Sequence, residues 1–408
     1  MGRFYRRMAA PLLVGRARAG LFLGLVALIT MASLALFATR DVTVKLLPFD
    51  NKSEFQIVVD LPEGASLEDT ERVLIAAAER IRDIPELTHL QAYAGTAAPF
   101  NFNGLVRHYY LRGKPWEGDL QVNLTAKHER DRQSHDVALE VRARLADLDV
   151  PAGTSVKVVE VPPGPPVLST LMAEVYGPDE ASRRQAAREI RKAFEVVDFV
   201  VDVDDSFGTP PERLRFEIDQ ENLEFHGVQE QVVYDTLQAL IGGVGVGYSH
   251  RGAGVNPAEI SVRLPKSGLS ANERLLSTPI PAPGEAADSG RVVELGDVLR
   301  LRRERASYPL YRHNGHFADL VTGELAGRFE APVYGMLAVE EALEKAGWNG
   351  TIAYHGQPTD ESVITLLWDG EWEITFVTFR DMGLAFAFAL LAIYVLLRDD
   401  GRALSHAG

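Results

Sequence analysis

Residues 55–81, FQIVVDLPEGASLEDTERVLIAAAERI, predict a strand, a turn and a helix. Apolar residues alternate with more polar ones as far as Leu61, which is typical of a half-buried strand. A turn that contains Gly64 follows. Ser66 and Asp69, three residues apart, form the capping pair that begins many helices. Residues 55–81 therefore indicate an α+β fold.

The same pattern continues from this stretch to residue 161. It predicts the order β-α-β-β-α-β, which is the split βαβ or ferredoxin-like arrangement. The remaining predicted elements are a helix over Val137–Leu148 and strands at Leu87–Tyr93, Leu120–Ala126 and Ser155–Val161.

A weaker copy of the pattern follows a proline-rich linker at residues 161–166. Residues 173–194, AEVYGPDEASRRQAAREIRKAF, again predict a strand, a turn with proline and a helix. Residues 211–301 interrupt this second unit, with a predicted helix over Val228–Ile241 and predicted strands at Ile260–Leu264 and Val292–Leu301. The rest of the unit is predicted as a strand at His316–Leu325, a helix at Ala331–Ala346 and a strand at Thr351–His355.

Two uncharged apolar segments, Leu21–Thr39 and Met382–Leu397, lie on either side of this body. As a helix, the first is long enough to cross the hydrocarbon core of a bilayer, and the second is short for that purpose. Five arginines precede the first segment, so the positive-inside rule predicts both termini in the cytoplasm and the body outside the membrane. A cleaved signal peptide is the alternative, but the apolar core is longer than the usual ~7–15 residues.

The composition argues against several classes of function. The net charge is −15 and there is no cysteine. An acidic body argues against nucleic acid as a partner, and a chain without cysteine has neither disulfides nor thiolate metal sites. The sequence also lacks a nucleophile elbow, a Walker loop and an HExxH motif. We therefore predict no enzyme activity, no catalytic residue and no cofactor.

Methionine and histidine do not indicate a metal site either. The six methionines are scattered along the chain, whereas soft metals need sulfur ligands close together. The closest histidines, His313 and His316, would point to opposite faces of one extended strand. The sequence therefore predicts no metal site.

Five stretches resemble segments of the resistance–nodulation–division (RND) efflux transporters, and together they extend over most of the chain. They are LLPFDNKSEFQIVVDLPEG (46–64), PPGPPVLSTLMAEVYGPD (162–179), FEIDQENLEFHGVQEQVVYDTLQALIGG (216–243), YRHNGHFADLVTGEL (311–325) and RDMGLAFAFALLAIYVLL (380–397). A transmembrane helix, a β-α-β-β-α-β unit and a second unit with an insertion are similar to the C-terminal half of such a transporter.

The resemblance implies a proton-driven exporter of the bacterial inner membrane with its large domain in the periplasm. The implied partners are the remaining half of the pump, two further copies in a homotrimer, a periplasmic adaptor protein and an outer-membrane channel. This sequence has one large loop and two apolar segments, where a full transporter has two loops and twelve helices, so we expect a fragment that is not competent alone. The alternative is a membrane-anchored periplasmic binding or assembly module without transport activity.

The resemblance also divides the chain into segments. These are a cytoplasmic N-terminus (1–20), a transmembrane helix (21–39), a first porter subdomain (40–161), a second porter subdomain in two parts (162–210 and 302–371), an inserted docking domain (211–301), an interfacial segment with a transmembrane helix (372–397) and a cytoplasmic tail (398–408).

Substrate contact is expected in residues 97–114, AAPFNFNGLVRHYYLRGK. In the family the corresponding loop carries phenylalanine and glycine and lines the drug pocket, and Phe100, Phe102 and Gly104 match that character. Aromatic rings bind small apolar or cationic molecules by burial and by cation–π contact. The alternative is that Phe100 and Phe102 pack against their own sheet.

Overall fold

The computed structural model describes residues 15–39, 41–43, 50–161, 166–252, 254–265, 268–269, 273–282, 291–327, 329 and 331–406. Most of the predicted arginine-rich start and of the proline-rich linker lies outside these residues. The chain divides into two compact units, an inserted unit of Pro210–Ser307 and a main unit of Met1–Thr209 with Tyr308–Gly408. The inserted unit corresponds to the insertion predicted at residues 211–301.

The first apolar segment is a helix, α1 (Arg16–Ala38). Its part Ala17–Phe37 has a mean hydropathy of 2.3 and is long and apolar enough to cross a membrane. The side chains along this part are exposed in the folded chain. An apolar helix with no protein partner needs another apolar environment, which is consistent with a membrane anchor.

The first sheet of the main unit has four strands, and all neighbouring strands are antiparallel in the order β2-β3-β1-β4. Two helices, α2 and α4, pack on one face of it. The elements are β1 (Glu54–Asp60), α2 (Leu67–Ile81), β2 (Leu87–Ala94), α3 (Phe102–Val106), β3 (Glu117–Leu124), α4 (Ser134–Leu145) and β4 (Ser155–Val159).

The strand β1 and the helix α2 begin near the residues at which the local sequence signals predicted them. The Ser66 side chain accepts a hydrogen bond from the Asp69 amide at 3.1 Å, which caps α2. Val73 and Leu74 of α2 then pack against Ile57 of β1 in the core.

A second sheet begins with β5 (Leu171–Tyr176), α5 (Glu180–Glu195) and β6 (Val200–Asp205). The strand and the helix lie where the repeated pattern predicts them. Asp179 caps α5, because its side chain accepts a hydrogen bond from the Ser182 amide at 2.9 Å. After β6 the chain continues into the inserted unit.

The inserted unit is built on a long antiparallel pair formed by its first and last strands. Its elements are β7 (Glu212–Ile218), α6 (Gln220–His226), α7 (Glu230–Leu237), β8 (Val244–Ser249), β9 (Ala258–Val262), α8 (Glu273–Leu276), β10 (Pro279–Pro281), β11 (Val292–Glu294), α9 (Leu295–Val298) and β12 (Leu299–Arg305). The single strand predicted at Val292–Leu301 is wrong. Glu294 and Asp297 form a capping box that starts a helical turn between β11 and β12.

The second sheet is completed after the inserted unit and has the order β16-β17-β5-β15-β6. The added elements are β13 (Arg312–His313), β14 (His316–Phe317), β15 (Asp319–Leu325), α10 (Pro332–Lys345), β16 (Thr351–Ala353) and β17 (Thr365–Gly370). Helices α5 and α10 cover one face, where the Phe194 and Trp368 rings stack with centroids 5.9 Å apart. The strand β17, which the sequence analysis did not predict, brings Trp368 into this core.

A short hairpin, β13–β14, precedes β15. Asn314 and Gly315 at its tip have φ angles of 47° and 89°, as a two-residue type I′ turn requires. His313 and His316 are directly opposed across the hairpin and therefore share one face of it. The prediction that they lie on opposite faces of one strand is wrong, because the Asn-Gly turn reverses the chain between them.

The second apolar segment belongs to a long helix, α11 (Glu371–His406), which follows β17 directly. Its part Glu371–Leu396 has a mean hydropathy of 1.8 and could cross a membrane by length and composition. The predicted interfacial segment is thus the first part of this helix. There the Trp372 side chain donates a hydrogen bond to the carbonyl of Tyr354 at 2.8 Å, which ties the helix to the second sheet.

Candidate functional site

The predicted substrate loop, residues 97–114, is a folded segment that we call the aromatic loop. Asn101 organises it by capping α3. Its side-chain oxygen accepts a hydrogen bond from the Gly104 amide at 2.6 Å, and its side-chain nitrogen donates to Gln121 of β3 at 3.0 Å. A Cβ atom on Gly104 would lie 3.1 Å from the Asn101 oxygen. Gly104 is buried, and the absence of a side chain there leaves room for the cap.

The two phenylalanines of the aromatic loop are exposed. Phe100 is 71% exposed and Phe102 is 44% exposed. The Phe100 ring is 5.6 Å from the Tyr110 ring, centroid to centroid. Neither phenylalanine is a core residue of its own sheet, so the alternative proposed from the sequence does not describe them. The fold holds these rings at the surface on an anchored loop.

Arg107, the residue after α3, ties the aromatic loop to the second sheet. Its guanidinium lies 2.6 Å from the carboxylate of Glu324 on β15, and the two side chains are 7% and 15% exposed. Thr170 donates a hydrogen bond to the other Glu324 oxygen at 2.5 Å. Burial alone would raise the pKa of Glu324, but the charge of Arg107 and these hydrogen bonds outweigh it and hold the pKa below its ordinary value.

Two further ion pairs join the first sheet to the second. Lys157 of β4 pairs with Asp204 of β6, and Arg142 of α4 lies 2.8 Å from Asp202 of β6. Burial raises the pKa of Asp202 above its ordinary value in spite of the Arg142 charge. We call these three pairs the ion-pair seam, which consists of Arg107–Glu324, Arg142–Asp202 and Lys157–Asp204.

A sequence model of the AcrB/AcrD/AcrF family matches residues 2–347, most of the chain. The chain belongs to the AcrB/AcrD/AcrF family. The resemblance to RND transporters that the sequence showed is thereby confirmed. No curated protein matches the chain.

Solved structures show the same fold as this AcrB/AcrD/AcrF-family chain. Two crystal forms of a heavy metal efflux pump superpose on it with TM-scores of 0.67 and 0.68, at 20% and 19% sequence identity. In both, 95% of this chain is covered, against 38% of the pump. The chain thus spans about two fifths of the length of those structures.

Sequence reasoning singled out the aromatic loop of this family member as a candidate site but did not predict the ion-pair seam. Arg107 and Glu324 are 217 positions apart, and no local pattern links positions so distant. The available signal was the charged residue Glu324 in a strand whose alternate residues are buried, since a carboxylate with little access to solvent needs a partner.

The aromatic loop offers a surface to which a ligand could bind. Exposed aromatic rings beside a rigid, charge-paired seam offer apolar and cation–π contact.

Proposed function

We propose that this chain supplies the substrate-contacting and docking surfaces of an efflux pump, and that its role is transport and not catalysis. The observation that carries the proposal is the pair of exposed rings, Phe100 and Phe102, on a loop whose Arg107 is bound to the neighbouring sheet. An apolar surface held at the junction of two sheets suits small apolar or cationic compounds.

The proposed architecture follows from membership of the family. The two sheets with their helices act as ferredoxin-like porter subdomains, and Pro210–Ser307 acts as the docking domain. The order β2-β3-β1-β4 within a β-α-β-β-α-β unit supports the first assignment. The proposed partners are the remaining half of the pump, a homotrimer, a periplasmic adaptor protein and an outer-membrane channel.

The proposed cargo is a multidrug or xenobiotic set of organic molecules. The similar solved structures are of a heavy metal efflux pump. A sequence identity of 20% or less shows that the fold is shared but does not show that the cargo is the same. Two exposed phenylalanines favour bulky apolar compounds. We place the proton coupling outside Leu21–Thr39 and Met382–Leu397, since neither segment holds Asp, Glu, Lys, Arg or His.

The proposed orientation has both ends in the cytoplasm of a bacterial inner membrane and the sheets in the periplasm. A reporter active only in the periplasm, fused after Gly290, should therefore be active, and the same reporter fused after Gly408 should be silent. This result is expected because the arginine-rich start stays in the cytoplasm and the chain then crosses the membrane twice. Activity at Gly408 or silence at Gly290 would refute the orientation.

The transport proposal predicts that efflux requires this chain and the remaining pump half together. In cells without pumps of their own, the two should export a fluorescent apolar dye, and an uncoupler should abolish the export. The chain alone should leave dye retention at the level of an empty vector. If the chain binds dye but never supports export, even with the remaining half, the alternative of a membrane-anchored binding or assembly module is correct.

A further inference from the structure

We propose that Glu174, His313 and Asp369 form a binding site for one borderline divalent cation such as Zn²⁺. The three side chains come from β5, from the hairpin β13–β14 and from β17, all within the main unit. One ligand atom from each residue lies within 4.8 Å of the other two. None of the three residues belongs to the aromatic loop, and the proposal does not depend on the proposed function.

The second sheet and the hairpin bring these ligands together. Asp369 pairs with Met172 across β17 and β5, and Glu174 is two residues further along β5, so both carboxylates lie on the same face of the sheet. This is the face opposite α5 and α10, because the alternate residues Ala173 and Trp368 lie in the helix-covered core. The hairpin places His313 next to both carboxylates. Its Nδ1 contacts Glu174 Oε1 and lies 3.9 Å from Asp369 Oδ2.

The charges of the cluster favour a dication. The side chains of Glu174 and Asp369 are only 1% and 12% exposed, and a buried carboxylate is costly without a positive partner. Among the described residues, no lysine or arginine nitrogen lies within 4.0 Å of either carboxylate, and the only basic side chain that close is His313. An imidazole supplies one positive charge at most, whereas a divalent cation between the three ligands balances both carboxylates.

A second layer of hydrogen bonds orients the ligands. Tyr176 donates a hydrogen bond to Glu174 Oε2 at 2.6 Å, which leaves Oε1 facing His313. The Gln357 side chain donates to the carbonyl of His313 at 3.3 Å. Such outer partners commonly fix the ligands of metal sites.

The donor atoms indicate the class of ion. Two carboxylates and one imidazole suit Zn²⁺ and similar ions, whereas soft Cu(I) prefers sulfur and Ca²⁺ prefers oxygen ligands alone. Bonds of about 2.0–2.2 Å in a tetrahedron place ligand atoms roughly 3.4 Å apart. The spacing of 3.9 Å between His313 Nδ1 and Asp369 Oδ2 is close to this, whereas His313 Nδ1 and Glu174 Oε1 are in direct contact and must separate to admit the ion. The His313 side chain is 39% exposed, which gives an ion access from solvent. A water molecule would take the fourth position.

This inference departs from the sequence analysis, which predicted no metal site. Glu174 and His313 are 139 positions apart, so no ligand spacing is visible in the sequence. The strand β17, which carries Asp369, was not predicted either.

Calorimetric titration of Zn²⁺ into the purified full chain, after chelator treatment, tests the proposal. We expect one Zn²⁺ per chain, and the variants His313→Ala and Asp369→Asn should each weaken binding at least about tenfold, the lower end of what loss of an outer partner costs. His128→Ala is the matched control, because His128 is 77% exposed and adjoins a single carboxylate, Glu129. It should bind as the unaltered chain does.

Titration with Co²⁺ in place of Zn²⁺ gives a spectroscopic signal that distinguishes loss of the site from a folding defect. Co²⁺ in the unaltered chain should give the visible absorption bands of a four-coordinate site, and His313→Ala should lose them while its circular dichroism stays unchanged. Should Asp369→Asn fail to fold, Glu174→Gln serves in its place with the same expected loss. Equal Zn²⁺ affinity in the unaltered chain and in His313→Ala, or no Zn²⁺ binding by the unaltered chain, would overturn the proposal.

Discussion

Replacing Arg107 with Met is expected to lower the free energy of unfolding by about 3–5 kcal/mol, the usual cost of removing one partner of a buried ion pair. The substitution keeps an apolar side chain of similar length but leaves the Glu324 carboxylate buried without its cation. Glu324 then keeps the hydrogen bonds from Ser169 and Thr170 and the more distant charge of Arg142. Urea unfolding of the full chain in detergent, followed by tryptophan fluorescence, measures the difference.

Two further variants distinguish the effect of breaking a buried ion pair from the effect of losing one positive charge. Arg72→Met removes an arginine that lies 2.7 Å from Asp69, where the side chains are 69% and 38% exposed, and should cost about 0–1 kcal/mol. The double variant Arg107→Met with Glu324→Gln should recover much of the lost stability, because no buried charge is then unpaired. If Arg107→Met costs no more than Arg72→Met, the ion-pair seam is not the stabilising feature described.

The regular elements were predictable because they depend on neighbours in sequence. The cap formed by Ser66 and Asp69, and the apolar periodicity that follows it, began α2 at the expected place. The strand Leu171–Tyr176 overlaps the start of residues 173–194, where the repeated pattern predicts a strand. Local propensity and tertiary packing agree in these segments.

The remaining features depend on turns and on contacts between distant residues. The Asn314-Gly315 turn carries a hairpin signal that the sequence analysis overlooked, so it misplaced His313 relative to His316. The capping pair of Glu294 and Asp297 likewise interrupts a run that is apolar enough for one strand.

The sequence predicted the chemical character of the site residues, but it did not predict whether their side chains are exposed to solvent. A sequence shows that Phe100 and Phe102 are aromatic, but the same two residues would suit a core. Asn101 is anchored to Gln121 on β3, an inner strand of the first sheet, and the loop held there leaves both rings exposed. Gly104 makes room for the Asn101 cap, and its predicted contact with a substrate stays a prediction.

Export by the double variant Phe100→Ala with Phe102→Ala, in cells that also carry the remaining pump half, tests the central claim most directly. A buried aromatic contact with substrate is worth about 1.5–3 kcal/mol, so losing these rings should weaken substrate binding roughly tenfold or more. Resistance to bulky apolar compounds should fall accordingly while the amount of protein in the membrane stays normal, since neither ring is in the core.

Phe225→Ala is the matched control for that measurement. Phe225 lies on α6 of the inserted unit and is 77% exposed, so it has the same chemistry without a place in the aromatic loop. We expect normal export and normal abundance from Phe225→Ala, and reduced export at normal abundance from the double variant. Unchanged export of every tested compound by the double variant, at normal abundance, would contradict the assignment of the aromatic loop as the substrate-contacting surface.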